Sequence, residues 1–252
     1  MKYDVQLCEI VRRAEIADDT YDFTVQAPAF AAVAKPGQFA HIYVPGRTLR
    51  RPISICDIDR ENGTLRFVFQ IRGAGTADLA NFEVGDTLDI LAPLGRGFTV
   101  DPEKKALFVG GGIGVPPLLG AAKHYGQNAT VAIGFRDKNH VILAEDFKAA
   151  GCDVRVATDD GSFGHHGLVV DLIRDVQPDI LCACGPMVML RAVAAFAKEN
   201  NIHCEISLEE RMACGIGACL GCAVELYDEN GEIYMGHVCK DGPVFAAERV
   251  VL

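Results

Sequence analysis

The sequence lacks a surplus of positive charge, and it lacks an apolar run long enough for a bilayer. Its 24 Lys and Arg stand against 34 Asp and Glu, a net charge of −10, so no electrostatic footprint for nucleic acid or anionic lipid is expected. The longest uncharged stretch, Ala106 to Ala122, has 17 residues, five of them Gly and two Pro. That is too short and too broken for a membrane span. Asp4, Glu9 and Arg12 precede any apolar stretch, so no secretory signal is expected and the cytoplasm is the default location. Internal repeats, Ser- or Pro-rich linkers and any convincing acid–base pair for a carbon substrate are missing too.

What is present is a globular composition: 252 residues, 50% hydrophobic, with 26 Gly and 11 Pro. Up to about Phe98 the pattern is short and alternating. Val5–Ile10, Phe39–Val44 and Leu65–Phe69 read as half-buried strands, separated by turns such as Lys35-Pro36-Gly37 and Glu61-Asn62-Gly63. Six or so strands at this spacing predict a small antiparallel barrel over residues 1–98, with one short helix near Thr76–Phe82. The rhythm then changes. Strands at Ala106–Gly110, Thr130–Phe135, Asp153–Thr158 and Asp179–Cys184 alternate with helical segments near Pro116–Tyr125, Glu145–Ala150, Gly167–Val176 and Met187–Asn200. That alternation predicts a parallel-sheet α/β domain over residues 99–206. The remainder, 207–252, is too small to be stabilised by its own hydrophobic burial and must be organised by something bound.

Ten Cys in a chain expected to stay in a reducing compartment do not suggest a disulfide framework. Four of them show a pattern: Cys214-x4-Cys219-x2-Cys222, sixteen residues, then Cys239. This is the plant-type spacing for a [2Fe–2S] cluster. Gly215, Gly217 and Gly221 let the backbone wrap the inorganic core and turn amide groups toward sulfur. Structural zinc is the alternative, although it would favour paired C-x2-C knuckles and only one is present.

Three further motifs carry chemistry. Arg50-Arg51-Pro52-Ile53-Ser54 ends a barrel strand, with Gly75-Thr76 downstream. An Arg can grip a phosphate, a Ser can bond the edge of a flat ring, and a helix start offers amides to a pyrophosphate. Gly110-Gly111-Gly112-Ile113-Gly114, followed by Pro116-Pro117, is a Gly-rich turn opening a helix after the first strand of the parallel sheet, where a dinucleotide would sit. Cys182-Ala183-Cys184-Gly185-Pro186-Met187 lies at a strand end of that sheet. Cys182 reads as a core thiol, Cys184 equally as core or as a group facing ligand, and His165-His166 as a solvated pair.

The order of these motifs resembles the ferredoxin–NADP reductase superfamily over the first two hundred residues. The stretch from Glu209 to Cys222 narrows the resemblance to the electron-transfer subunits of NAD-dependent (class 1B) dihydroorotate dehydrogenases, over essentially the whole chain. The resemblance implies FAD between barrel and sheet, NAD on the sheet and a [2Fe–2S] cluster on Cys214, Cys219, Cys222 and Cys239. Its FAD-binding residues correspond to Arg51, Pro52, Ile53, Ser54, Val68, Phe69, Gln70, Gly75 and Thr76, with Gln70 where Arg is common and Arg72 nearby. Its nicotinamide site corresponds to Gly111, Gly112, Ile113 and Gly114, with Gly185, Pro186 and the candidate catalytic Cys184 near the ring. It further implies a partner, an FMN-containing catalytic subunit that oxidises dihydroorotate in UMP biosynthesis, in a heterotetramer with two of each chain. The same cofactors would also serve a reductase subunit of a hydrogenase or transhydrogenase, while a redox sensor or zinc-stapled assembly factor is the non-enzymatic alternative.

Overall fold

Alternation of apolar residues sets the first half of the molecule, for which a computed structural model describes residues 3–252. Residues 1 and 2 of the first expected domain lie outside the described residues. Strands β1 (Asp4–Ala17), β2 (Thr20–Gln26), β3 (Phe39–Ile42), β4 (Arg51–Asp59), β5 (Thr64–Gln70) and β6 (Thr87–Leu94) close into an antiparallel barrel in the order β1-β2-β5-β4-β3-β6. Leu65, Phe67 and Phe69 point into the barrel core with Phe23 and Val25 of β2. The period of two therefore turns Arg66 and Val68 outward. In β3 the same rule puts Ala40 and Ile42 inside and leaves Phe39 and His41 facing the rest of the protein. Two short helices flank the barrel. The sequence reading missed α1 (Pro28–Val33), and α2 (Ala74–Ala80) starts two residues before the expected helix.

The second half is a seven-stranded sheet. From the chain come β7 (Ala106–Gly111), α3 (Pro116–Ala122), β8 (Ala129–Phe135), α4 (Ala144–Ala149), β9 (Asp153–Thr158), β10 (His165–His166), β11 (Ile180–Cys184), α5 (Met187–Glu199) and β12 (His203–Ser207). Pro116 occupies the start of α3, where its missing N–H costs nothing. The helix expected over Gly167–Val176 is only a 3-10 turn, Val169–Leu172, because the β-branched pair Val169-Val170 resists a longer helix. The exposed His165-His166 pair forms the far edge strand beside β9.

After β12 the chain runs through the cysteine loop into a hairpin, β13 (Ala223–Tyr227) with β14 (Ile233–His237), then α6 (Val238–Asp241) and β15 (Val244–Ala246). Strand β15 pairs antiparallel with β12, giving the sheet order β10-β9-β8-β7-β11-β12-β15. This corrects the expectation that bound metal alone must organise residues 207–252. Leu226, Val238 and Val250 share one hydrophobic core with Val109, Leu181 and Leu190 of the sheet and α5, so neighbouring apolar surface stabilises the segment as well. Barrel and sheet meet where α3 lies on β4. At Gly120 an added Cβ would stand 3.2 Å from the Cys56 carbonyl oxygen. Lys123 bonds Asp57 at 2.6 Å across the same joint.

Candidate functional site

Barrel, sheet and C-terminal segment all contribute to one pocket. Pro52, Ile53 and Ser54 of β4, Val68, Phe69 and Gln70 of β5, and Thr76 of α2 line its barrel side. Ile113 enters from the Gly-rich turn, and Ser207 to Glu210 with Met212 close the third side. Of the expected flavin-side residues, only Arg51 and Gly75 stand outside this lining. The Arg51 guanidinium lies over Gly75, whose missing Cβ makes its room: a Cβ there would fall 1.8 Å from Arg51 Nε. Arg50 is engaged elsewhere, ion-paired with Asp89 at 2.9 Å and covering the Tyr43 ring, whereas Arg51 has no carboxylate partner among the described residues and donates only to the Arg50 carbonyl. The Thr76 hydroxyl accepts from the backbone N–H groups of Arg72 and Gly73 and donates to the Gly73 carbonyl. Its role in the fold is to shape the turn, not to stand open as a free donor. Arg72 reaches the pocket wall beside Gln70.

The two expected nicotinamide-side loops touch back to back. Strands β8, β9 and β10 lie on one side of β7 while β11, β12 and β15 lie on the other. The β7/β11 boundary is thus the point where strand order reverses, and ligands of open parallel sheets bind outside the strand ends there. A Cβ on Gly114 would stand 2.5 Å from the Cys184 carbonyl oxygen, and one on Gly111 would stand 2.8 Å from Pro186 Cδ. Gly112 adopts φ +53° and faces open space. Cys184 sits at the end of β11 with 2% exposure. Burial, with a smaller push from the Glu209 charge, raises its thiol well above the usual range against a hydrogen bond with Ser207, so it stays protonated.

The four C-terminal cysteines occupy a loop held by its own amides. Ile216 and Ala218 donate N–H groups to Cys214 Sγ at 3.5 and 3.2 Å, Gly217 donates to Cys239 Sγ at 3.1 Å, and Gly221 donates to Cys219 Sγ at 3.5 Å. Gly215 and Gly217 take φ +72° and +79°, the left-handed turns this wrapping requires. Burial tends to raise the Cys214 thiol, but hydrogen bonds from Ile216, Cys219 and Ala218 outweigh it and bring it down to about 6. Burial, then the neighbouring Cys222, pushes Cys239 up to about 12. Among the described residues no three Cys, His, Asp or Glu converge tightly enough to enclose a single ion. Four thiol donors at the C-x4-C-x2-C…C spacing, with backbone amides aimed at sulfur, fit an iron–sulfur cluster.

Sequence reading missed several groups here. Phe39, Ser207 to Glu210 and Met212 line the pocket because Phe39 faces outward from β3 and β12 runs into the cysteine loop, a convergence no local motif announces. His41 is the other omission. It is fully buried against the cysteine loop, with both ring nitrogens unpartnered among the described residues. Burial, then the Arg50 and Arg51 charges, lowers it to about 4. Alternation along β3 places it there, but only the fold reveals what it meets.

Residues 209–251 match the family described as the iron–sulfur cluster binding domain of dihydroorotate dehydrogenase B. The chain is 43% identical over 248 residues to the dihydroorotate dehydrogenase B (NAD(+)) electron transfer subunit of Geobacillus kaustophilus, covering 94% of this chain and 95% of that one. It is 41% identical over 246 residues to the same subunit of Caldanaerobacter subterraneus, with 96% of each chain covered. Among solved structures, a chain of the NADH-dependent reduced ferredoxin–NADP oxidoreductase, studied for flavin-based electron bifurcation, superposes with TM-score 0.86 at 34% identity, over 97% of this chain and 90% of that one. The ferredoxin reductase of carbazole 1,9a-dioxygenase shares the fold, with TM-score 0.67 at 19% identity over 80% of this chain and 67% of that one.

Proposed function

Since the chain belongs to the family of dihydroorotate dehydrogenase B (NAD(+)) electron transfer subunits, we propose that it carries electrons between NAD and a dihydroorotate-oxidising flavoprotein by way of FAD and a [2Fe–2S] cluster. The observation that carries this reading is the shared pocket: the segment that closes it, Ser207 to Met212, runs directly into Cys214. One group bound there is adjacent to both the nicotinamide-side turn and the cysteine loop.

FAD, when bound, exchanges two electrons with NAD and single electrons with a cluster. This chain's residues bind and orient. Arg51 supplies charge to the pyrophosphate, and Pro52, Ile53, Ser54, Val68, Phe69 and Gln70 frame the flavin, with Gly75 giving Arg51 its space and Thr76 fixing the turn. Gly111, Gly112, Ile113 and Gly114 receive the dinucleotide against Gly185 and Pro186. Cys184 presents a neutral, buried surface beside the ring. Cys214, Cys219, Cys222 and Cys239 hold the cluster. No acid–base pair for dihydroorotate is in evidence, so carbon chemistry belongs to a partner, an FMN-containing catalytic subunit joined in a cytoplasmic heterotetramer of two of each chain. Among the described residues no helix is long and apolar enough to cross a membrane.

Leu220, 76% exposed on the cysteine loop, is the docking residue of this reading. Ala218 is exposed beside it, whereas Ile216 packs on the chain's own core. The purified chain should reduce an artificial acceptor with NADH and leave dihydroorotate untouched. Adding the catalytic subunit should restore dihydroorotate-dependent NAD reduction. Leu220→Glu should cut the coupled rate at least tenfold and spare the artificial one. Dihydroorotate oxidation by the isolated chain, or failure of the catalytic subunit to bind, would overturn the assignment.

A further inference from the structure

His41 sits in β3, paired with Pro52 of the pocket wall, yet its ring turns away from the barrel. The Nδ1 edge lies where Gly215 passes. A Cβ on Gly215 would stand 2.6 Å from Nδ1, so Gly215 combines a left-handed turn with close approach to the ring. The side chain has 0% exposure, and among the described residues neither nitrogen has a hydrogen-bond partner. A neutral imidazole carries one N–H and one bare nitrogen, and buried donors are rarely left unsatisfied. The acceptors that the loop from Cys214 to Cys219 gains on loading are sulfurs.

On the reading that this loop holds a [2Fe–2S] cluster, we propose that His41 is a positioning residue that donates its ring N–H to a sulfur of the loaded cluster. The donation anchors the loop to the barrel and raises the cluster's reduction potential. A hydrogen bond to sulfur stabilises the extra negative charge of the reduced state, the same lever that outer groups use on other metal centres. The pathway is short. Phe39, two residues away on the same face of β3, lines the pocket and meets the His41 ring edge to face, with centroids 6.4 Å apart. Pocket, Phe39, His41 and cysteine loop thus form one packed line.

The test uses the purified holoprotein with 15N only in histidine, its cluster reduced by dithionite and read by electron spin-echo envelope modulation. A 15N coupling that vanishes in His41→Gln is expected. In potentiometric titration, His41→Leu should shift the cluster's reduction equilibrium about tenfold toward the oxidised form, which for a one-electron couple is about 59 mV. His41→Gln keeps an N–H donor and should recover part of that shift, with iron and sulfide per chain unchanged in both. Iron-loaded wild type without a histidine coupling, or a Leu variant at the wild-type potential, overturns the role of His41 alone. Wild type that binds no iron overturns the cluster reading itself. If the Leu variant fails to fold, the wild-type spectrum still decides.

Discussion

Around the pocket, Pro52, Ser54 and Phe69 sit on strands of a closed barrel, and the Gly111 and Gly185 turns are pressed together by the sheet beneath them. From Cys214 to Cys222 there is neither helix nor strand, and four N–H···S bonds shape the loop. The pocket is therefore preorganised by the ladder and the hydrophobic cores, whereas the loop's geometry depends on its sulfurs. Sulfur is a weak hydrogen-bond acceptor, and a loop that relies on it gains most of its order when metal ties the sulfurs together. Loss of a ligand should affect the two regions very differently.

The sharpest way to break that contrast is Cys219→Ser. Removing one thiolate should abolish the cluster and loosen residues 214–222, while FAD stays bound because its walls lie on β4 and β5. Iron and sulfide assayed against flavin check this. Full cluster occupancy in the variant would sink the ligand assignment. Next in size is Gly114→Val, which puts a branched side chain against the Cys184 carbonyl, where a Cβ has only 2.5 Å. Backbone must move, at a cost of about 1–3 kcal/mol. The expected outcome is a KM for NADH raised at least tenfold, with the flavin and cluster spectra intact.

Arg51→Ala tests the pocket side more gently. Loss of one charge-assisted contact costs roughly 1.5–3 kcal/mol, about ten- to hundredfold in FAD affinity. Arg51→Lys should recover only part, since an ammonium cannot match the planar fork. Flavin retained by Arg51→Ala through gel filtration would make Arg51 a plain strand residue.

How much of this was legible in the sequence follows the range of the forces involved. Period-two alternation in Leu65–Phe69 and the glycines between Gly110 and Gly114 are local, and both the barrel strand and the turn stand where the sequence puts them. The Cys spacing is local as well, and it identifies the loop. Contacts between distant segments were not legible. Nothing around Val244 announces that it pairs with β12, and Glu209 and Met212 join the pocket only because β12 delivers them there. His41 reads as an ordinary outward residue of a half-buried strand until Gly215 is seen against it. Only a Val169–Leu172 turn forms where a helix over Gly167–Val176 is expected, since the β-branched pair Val169-Val170 resists a longer one.

The smallest effect should come from Cys184, although its place beside the expected nicotinamide site makes it the obvious candidate for chemistry. A thiol helps a redox step as thiolate or as proton donor, and both need a pKa within reach of working pH. Burial moves this one upward, and its side chain is nearly inaccessible. We therefore expect the group to act as a neutral packing surface over the functional range. Cys184→Ala removes one sulfur from a packed site and should slow NADH-driven reduction of an artificial acceptor only a few-fold, chiefly through KM. The rate should show no ionisation that the variant lacks between about pH 6 and about pH 9, a window that spans the ordinary thiol value of about 8.5. Iodoacetamide should leave Cys184 unmodified in the folded protein, as read by peptide mass spectrometry. A hundredfold loss of kcat in Cys184→Ala, with NADH binding preserved, would instead make the thiol a participant, and the nicotinamide side would no longer be a site built from backbone and shape alone.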